Sequence, residues 1–183
     1  PFVMYFSALG LAFMLLEVAL IQKFILFLGY PTRALSVILF TLLLSSGIGS
    51  FVSGLIKENR RKEIVRLACS LIIGVTIIHA LSLEPLFAVL LKQDTTVRVL
   101  ATFVLVFPLG FFMGMPFPTG IGFLSSASDT TSVPWMWAIN GAMSVLGSIL
   151  ATTTGIVLGL DYAIIFAALL YSVAFLSTLR WSS

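Results

Sequence analysis

Six long apolar segments constrain the fold of this chain more than any other feature. Each is about 20 residues long and can cross a hydrocarbon core of about 30 Å as an α-helix. Lipid offers no hydrogen bonds to the backbone, so a spanning segment must be continuous helix or part of a closed barrel. The ten-residue alternation of a membrane β-barrel is not seen. We predict an all-α polytopic membrane bundle with about six transmembrane helices: Phe2–Gly29, Ala34–Ile56, Ile64–Leu83, Val97–Leu124, Trp135–Leu160 and Tyr162–Leu179.

The composition agrees with a membrane protein. Hydrophobic residues make up 60% of the chain and charged residues 9%, whereas an ordinary globular domain has about 25% charged residues. The mean hydropathy is +1.16. We therefore expect a single transmembrane helical domain over residues 1–183, with almost nothing left for a soluble domain. The chain begins at Pro1 in apolar sequence, and we expect it to be part of a longer protein or a subunit of a complex.

Positive charge in the short loops predicts the orientation. The loop between the second and third segments is basic, and its side of the membrane would carry six of the ten Lys and Arg residues: Lys57, Arg60, Arg61, Lys62, Arg66 and Arg180. The other side would carry Arg33, Lys92 and Arg98, with Lys23 inside a span and expected to snorkel outward. The positive-inside rule then places both termini in the cytoplasm and the protein in the inner (plasma) membrane.

Small residues at four-residue spacing predict how the helices pack. In lipid, helices associate through close backbone approach, which small side chains permit. We expect helices two and five at the centre of the bundle, because both carry such columns. The predicted packing residues are Ser46, Ser50 and Gly54 in the second segment, Gly110 and Gly114 in the fourth, and Ser144, Ser148 and Gly155 in the fifth.

The segment Met113–Gly120 predicts a break in the fourth helix. Pro116 and Pro118 each remove a backbone donor and clash with the preceding turn. A break at this depth is tolerated only where protein or a watery cavity satisfies the freed carbonyls. Such breaks occur at transporter substrate sites and also as fixed kinks, and both interpretations stay open.

Three polar residues inside the spans form a candidate intramembrane site together with Pro116 and Pro118: Glu17, Gln22 and Asn140. An ionisable residue within a span is expensive and should face the bundle, be protonated or meet a partner. We expect Asn140 and the freed backbone near Pro116 to be partners of Glu17. The functional interpretation is a proton or cation site, and the alternative is a structural hydrogen-bonded carboxyl.

Motifs for enzyme chemistry are not found. The chain has one histidine, His79, and one cysteine, Cys69, and neither has a neighbour at metal-ligand spacing. No G-x-S-x-G or phosphate-binding glycine loop is present. We expect no catalytic residues, no metal and no cofactor. The net charge of +3 comes mostly from one loop, so we also expect no nucleic-acid partner.

Four blocks in the chain resemble the membrane part of bacterial spermidine synthase-like membrane proteins. The resemblance rests on Leu11–Phe24 with Phe27–Pro31, Leu39–Ser50, Met113–Pro118 and Pro134–Gly141, and it covers nearly the whole chain. Members of that family typically join transmembrane helices to a soluble Rossmann-like domain akin to aminopropyltransferases. The glycine-rich loop and acidic residues of that domain have no counterpart here. The resemblance therefore implies a membrane module, matched at Glu17, Gln22, Pro31, Pro116, Pro118, Trp135, Trp137 and Asn140.

Three functions follow as hypotheses. The first is an integral membrane module that anchors or assembles with a soluble domain or a larger membrane complex, with lipid and other subunits as partners. The second is an ion- or proton-coupled transporter of a small solute, with a polyamine-like solute as one candidate. The third is a membrane enzyme, and it is the weakest because no acid–base pair or nucleophile assembly can be identified.

Overall fold

The computed structural model describes residues 1–126 and 130–181. Within these residues it contains α-helices and two short 3-10 turns but no strand. Six helical stretches are long and apolar enough to cross a membrane, since α4 and α5 together form one stretch. The predicted all-α bundle with six spans, one of them broken, is confirmed. The helices are α1 (Phe2–Leu28), α2 (Pro31–Gly54), α3 (Arg61–Leu90), α4 (Thr95–Met113), α5 (Pro116–Ser126), α6 (Val133–Val157) and α7 (Leu160–Leu179).

Local sequence explains where the first helices end and begin. Gly29 adopts a left-handed conformation (φ 82°), and its N–H bonds to the Ile25 carbonyl, which ends α1. Pro31 starts α2, where its missing N–H costs nothing.

The third helix is longer than expected, because it continues beyond Leu83 and through Pro85.

The two termini and the basic loop lie at one end of the bundle, here called the basic face. Phe2 stacks on Trp181 with ring centroids 5.0 Å apart. Arg61 donates to the Gly122 carbonyl at 2.7 Å, and Arg66 donates to the Thr178 carbonyl at 3.0 Å. These cations thus bond carbonyls near the carboxyl ends of α5 and α7, where the helix dipole is negative. The other end of the bundle is called the opposite face.

The central helix is α1, so the expectation that helices two and five occupy the centre is wrong. In the apolar windows, 50% of α1 is buried, against 28% of α2 and 11% of α6. Helix α1 packs against α2, α4, α5, α6 and α7. The reason is that α1 is apolar on most of its circumference, so several helices can pack against it, whereas small residues let α2 and α6 approach a neighbour on one side only.

Close backbone contacts hold α2 to α4. An added Cβ at Gly49 would overlap the carbonyl oxygen of Phe111, and one at Gly114 would overlap the carbonyl oxygen of Ser46. At Gly110 it would overlap the hydroxyl of Ser45. Gly110 and Gly114 of α4 thus contact α2 at Ser45 and Ser46, and Gly49 of α2 contacts α4 at Phe111.

The small-residue column predicted on α2 therefore needs correction at one end. Gly54 is exposed, and an added Cβ there would meet no atom within 4 Å. The reason is geometric: residue 54 lies about 140° of helical rotation from residue 49, on a side of α2 that α4 does not cover.

The contact between α1 and α6 also depends on small residues. An added Cβ at Gly147 would lie 2.5 Å from the Leu11 carbonyl oxygen.

The other predicted packing residues of α6 have different neighbours. An added Cβ at Gly155 would lie 2.7 Å from a Leu160 methyl carbon at the start of α7. Ser148 is half-buried, and its hydroxyl donates to the Val145 carbonyl of its own helix at 2.8 Å.

Candidate functional site

A cavity of about 530 Å³ lies beside the break between α4 and α5. Three of the five predicted site residues line it: Pro116, Pro118 and Asn140. Four residues predicted for packing line it as well: Ser46, Ser50, Gly114 and Ser144. The cavity is within the usual size range of small-molecule pockets, about 300–1,000 Å³. It is therefore the candidate site of this protein.

Glu17 is not among the residues that line the cavity. It is half-buried on α1, and no hydrogen bond or ion pair joins it to a residue in the described ranges. Phe13 and Met14, about one turn before Glu17 on α1, do line the cavity. Glu17 is thus beside the candidate site rather than in it.

The partners expected for Glu17 bond elsewhere, so that expectation is wrong. The side-chain amide of Asn140 donates to the Phe6 carbonyl at 3.1 Å. The Pro116 carbonyl accepts a hydrogen bond from the Tyr5 hydroxyl at 2.8 Å. The physical reason is position along α1: Phe6 and Tyr5 lie about three turns closer to the basic face than Glu17, level with Asn140 and the break.

Gln22 is separated from the cavity. An added Cβ at Gly155 would lie 3.3 Å from the side-chain oxygen of Gln22. Gly155 lies on α6 about three turns beyond Ser144, which lines the cavity, toward the opposite face. The structure therefore does not bring Gln22 together with Asn140 and the two prolines.

Aromatic residues at the start of α1 support the break. Besides the Tyr5 hydrogen bond, the Phe6 and Phe117 rings pack edge to face with centroids 5.3 Å apart. An added Cβ at Gly120 would lie 2.7 Å from the Tyr5 ring. The Thr119 hydroxyl donates to the Met115 carbonyl at 2.6 Å. The break is thus held by protein groups, as a break at this depth requires.

The side chain of Asn140 forms a hydrogen bond to α1, and Asn140 also lines the cavity. Gly10 is what permits the approach, since an added Cβ there would overlap the Asn140 carbonyl oxygen. The Phe6 carbonyl can only accept a hydrogen bond, so the nitrogen of the Asn140 side-chain amide is the atom that faces it. The amide oxygen has no hydrogen-bond partner in the described parts of the chain and remains an acceptor at the cavity.

A cluster of charges lies at the other end of the bundle. Lys23 is only 5% exposed, so it does not snorkel as expected. It forms an ion pair with Asp161 at the start of α7, and its amino nitrogen lies 3.6 Å from a carboxylate oxygen of Glu84. Carboxylates from α3 and α7 reach Lys23, which removes the need to extend into solvent.

His79 has a structural environment. One ring nitrogen lies 2.7 Å from the Val75 carbonyl of its own helix, and the other lies 3.2 Å from the Leu105 carbonyl of α4. Within residues 1–126 and 130–181, no group of three or more His, Cys, Asp or Glu residues could hold a metal ion.

Two tyrosines near the cavity were not predicted from the sequence. Tyr5 and Tyr171 are almost completely buried. A buried tyrosine usually finds a partner for its hydroxyl. A tyrosine within an apolar span was therefore the sequence signal that could have marked these two residues as candidates. The sequence could not show which helix each would face.

Comparisons of this chain with protein families, with curated proteins and with solved structures found no match. The resemblance to spermidine synthase-like membrane proteins therefore stays a prediction.

Proposed function

We propose that this chain is the membrane module of a larger assembly in the inner membrane, with both termini in the cytoplasm. The observation that supports the proposal is the outward surface of α6, the least buried of the spans at 11%. The orientation is supported by the basic face, because Lys and Arg concentrate in cytoplasmic loops.

The outward surface of α6 carries small and hydroxyl residues among large apolar ones. Lipid packs equally well against large apolar side chains, whereas small residues allow the backbone of another helix to approach closely. An added Cβ at Gly141 would meet no atom within 4 Å. This surface, called the α6 surface, includes exposed Ala138, Gly141, Ala142, Thr152 and Thr153.

A cysteine cross-linking scan in native membranes tests this proposal. Single cysteines are placed along α6 at Ala138, Gly141 and Val145, and the native Cys69 is buried and does not react. We expect disulfide or bis-maleimide products of one defined higher mass at all three positions, because they lie three to four residues apart on one side of α6. Gly74 on α3 is the matched control, because it is also exposed with open space around it.

The pattern of the products decides the outcome. A specific interface gives high yield at Gly141→Cys and low yield at Gly74→Cys. Equal yields at all positions indicate random collision, and no product indicates a monomer. Either result would overturn the proposal that this surface assembles with a second copy or another subunit.

A second candidate function is carriage of a small solute, which the position of the cavity beside a broken helix favours. Transport coupled to a proton or cation would need Glu17, although that residue lies outside the cavity lining. In proteoliposomes, a pH-dependent flux that Glu17→Gln abolishes while the protein still folds would support it. A flux that Glu17→Gln leaves unchanged would contradict coupling through this residue.

A further inference from the structure

The cavity opens sideways toward lipid, between α2 and α6. Two of its lining residues on α2, Leu43 and Gly47, are exposed, with Leu43 71% exposed. Helices α2 and α6 make no extensive contact with each other in the part of the chain that the structure describes. A ligand can therefore enter from the membrane.

The depth of the cavity matches the region just below the lipid headgroups. Asn140 lies two turns into α6, about 10 Å from Val133 at 1.5 Å per residue. Trp135 and Trp137 on the preceding turn are exposed, at 70% and 59%, and such residues mark the membrane interface. The polar groups of the cavity thus lie in the half of the bilayer next to the basic face.

Hydrogen bonds within the protein leave oxygen acceptors in the cavity. The Ser144 hydroxyl donates to the Asn140 backbone carbonyl at 2.8 Å, and the Ser46 hydroxyl makes a long bond of 3.4 Å to the Leu43 carbonyl. The Asn140 amide nitrogen is used by Phe6. The oxygen atoms of all three side chains can still accept.

Hydroxyl donors complement these acceptors. Tyr171 and Ser50 both line the cavity, and within the described ranges neither side-chain hydroxyl bonds another residue, so each can donate to a ligand. Among the residues that the structure describes, no acidic or basic side chain lines the cavity. A carboxylate or phosphate would therefore lack a cation, and an ammonium group would lack a counter-charge, which is costly within a membrane.

We propose that this cavity binds a neutral amphiphile with a hydroxyl headgroup and one hydrocarbon chain, taken up laterally from the bilayer. A hydroxyl both donates and accepts, so it can donate to Asn140 or Ser144 and accept from Tyr171. The chain lies against the apolar lining of α1, at Leu9, Phe13 and Met14. This inference requires neither the α6 interface nor solute transport.

Photolabelling in nanodiscs of a single phosphatidylcholine tests the inference. The probe is a long-chain alcohol with a diazirine in its chain, and labelled residues are mapped by peptide mass spectrometry. We expect labels at Phe13, Met14 and Phe117. Unlabelled dodecanol should compete at concentrations at least tenfold lower than dodecyl methyl ether, dodecylamine or dodecanoate.

Two variants separate the contribution of the Tyr171 hydroxyl from that of the open volume of the cavity. Tyr171→Phe retains the ring. It should weaken competition by dodecanol severalfold and leave competition by dodecyl methyl ether unchanged. Gly47→Leu fills the lipid-side opening and should reduce labelling at all three residues; an added Cβ at Gly47 meets no atom within 4 Å, so the variant is expected to fold. Gly74→Leu on α3 is the control and should label as the wild type does.

The outcomes are decisive for the ligand class. Equal competition by the ether, stronger competition by the amine or the carboxylate, labels scattered over exposed helices, or no effect of Tyr171→Phe would each overturn the inference. Because labelling uses the purified chain and cross-linking uses native membranes, failure of one proposal is distinguishable from failure of the other.

Discussion

Lys23 differs more from its expected environment than any other charged residue of the spans. A lysine near a helix end usually extends its amino group to the interface. Here Asp161 and Glu84 come from two other helices and pair with it within the bundle. Their exposure differs, with 34% of the Asp161 side chain and 73% of the Glu84 side chain accessible, so Asp161 is the stronger partner.

A double-mutant cycle tests this pair. Lys23→Met keeps the length of the side chain but leaves Asp161 without its cation, and we expect a loss of about 1–3 kcal/mol in the free energy of unfolding. Adding Asp161→Asn should restore part of that loss, because no charge then remains unpaired. The measurement is unfolding in mixed detergent micelles. Strictly additive effects would show that the two residues are not coupled.

Tyr5 is the second residue whose role depends on the tertiary structure. Its hydroxyl bonds the Pro116 carbonyl, and its ring packs against Phe6 and Trp181. The Tyr5 hydroxyl is thus one of the groups that hold the first turn after the helix break.

Tyr5→Phe removes that hydrogen bond and retains the ring. We expect a stability loss of about 1 kcal/mol and faster amide hydrogen exchange in residues 116–122 than in the rest of α4 and α5. Tyr162→Phe is the control, because Tyr162 is 53% exposed. Unchanged exchange at the break would show that the Tyr5 hydroxyl does not hold it.

At the scale of the helices, close approach distinguishes glycines that look alike in sequence. Gly49 and Gly54 both lie on α2 within an apolar segment. An added Cβ at Gly49 would overlap the Phe111 carbonyl, whereas one at Gly54 would meet open space.

This difference gives a matched pair of substitutions. Gly49→Ala should push α2 from α4 and lower stability by about 1–3 kcal/mol. Gly54→Ala should leave stability unchanged or slightly raised, since alanine is the better helix former. Thermal unfolding in the same detergent compares them. Similar losses for both variants would contradict the contact between α2 and α4 described above.

At the scale of the whole molecule, the even number of spans places both termini beside the basic loop. Asn59 lies in that loop, and Gln93 lies in the connection at the opposite face. Both residues are exposed. These positions report the orientation of the bundle.

Cysteine accessibility checks the orientation. Asn59→Cys should react with a membrane-impermeant maleimide only after the cells are opened, whereas Gln93→Cys should react in intact cells. The native Cys69 is buried and gives no background. The reverse pattern would place the basic face outside and overturn the proposed location of the termini.

Much of the architecture follows from sequence because spanning lipid leaves few choices. Apolar length specifies the helices, Gly29 and Pro31 mark one turn, and Pro116 and Pro118 mark the break. The candidate site was predictable in part, since Asn140 and both prolines do line the cavity. Glu17 and Gln22 were grouped with them only because they are polar.

The sequence alone determined that this chain forms a membrane bundle of six spans with one broken helix, because the cost of unsatisfied backbone in lipid allows little else. Only the tertiary structure decided that α1 is central, that Lys23 is paired and that Tyr171 reaches the cavity. The physical reason is that hydropathy reports whether a residue is in the membrane, but not which neighbour it meets. In lipid, that choice depends on backbone approach and individual hydrogen bonds, which exist only once the helices have packed.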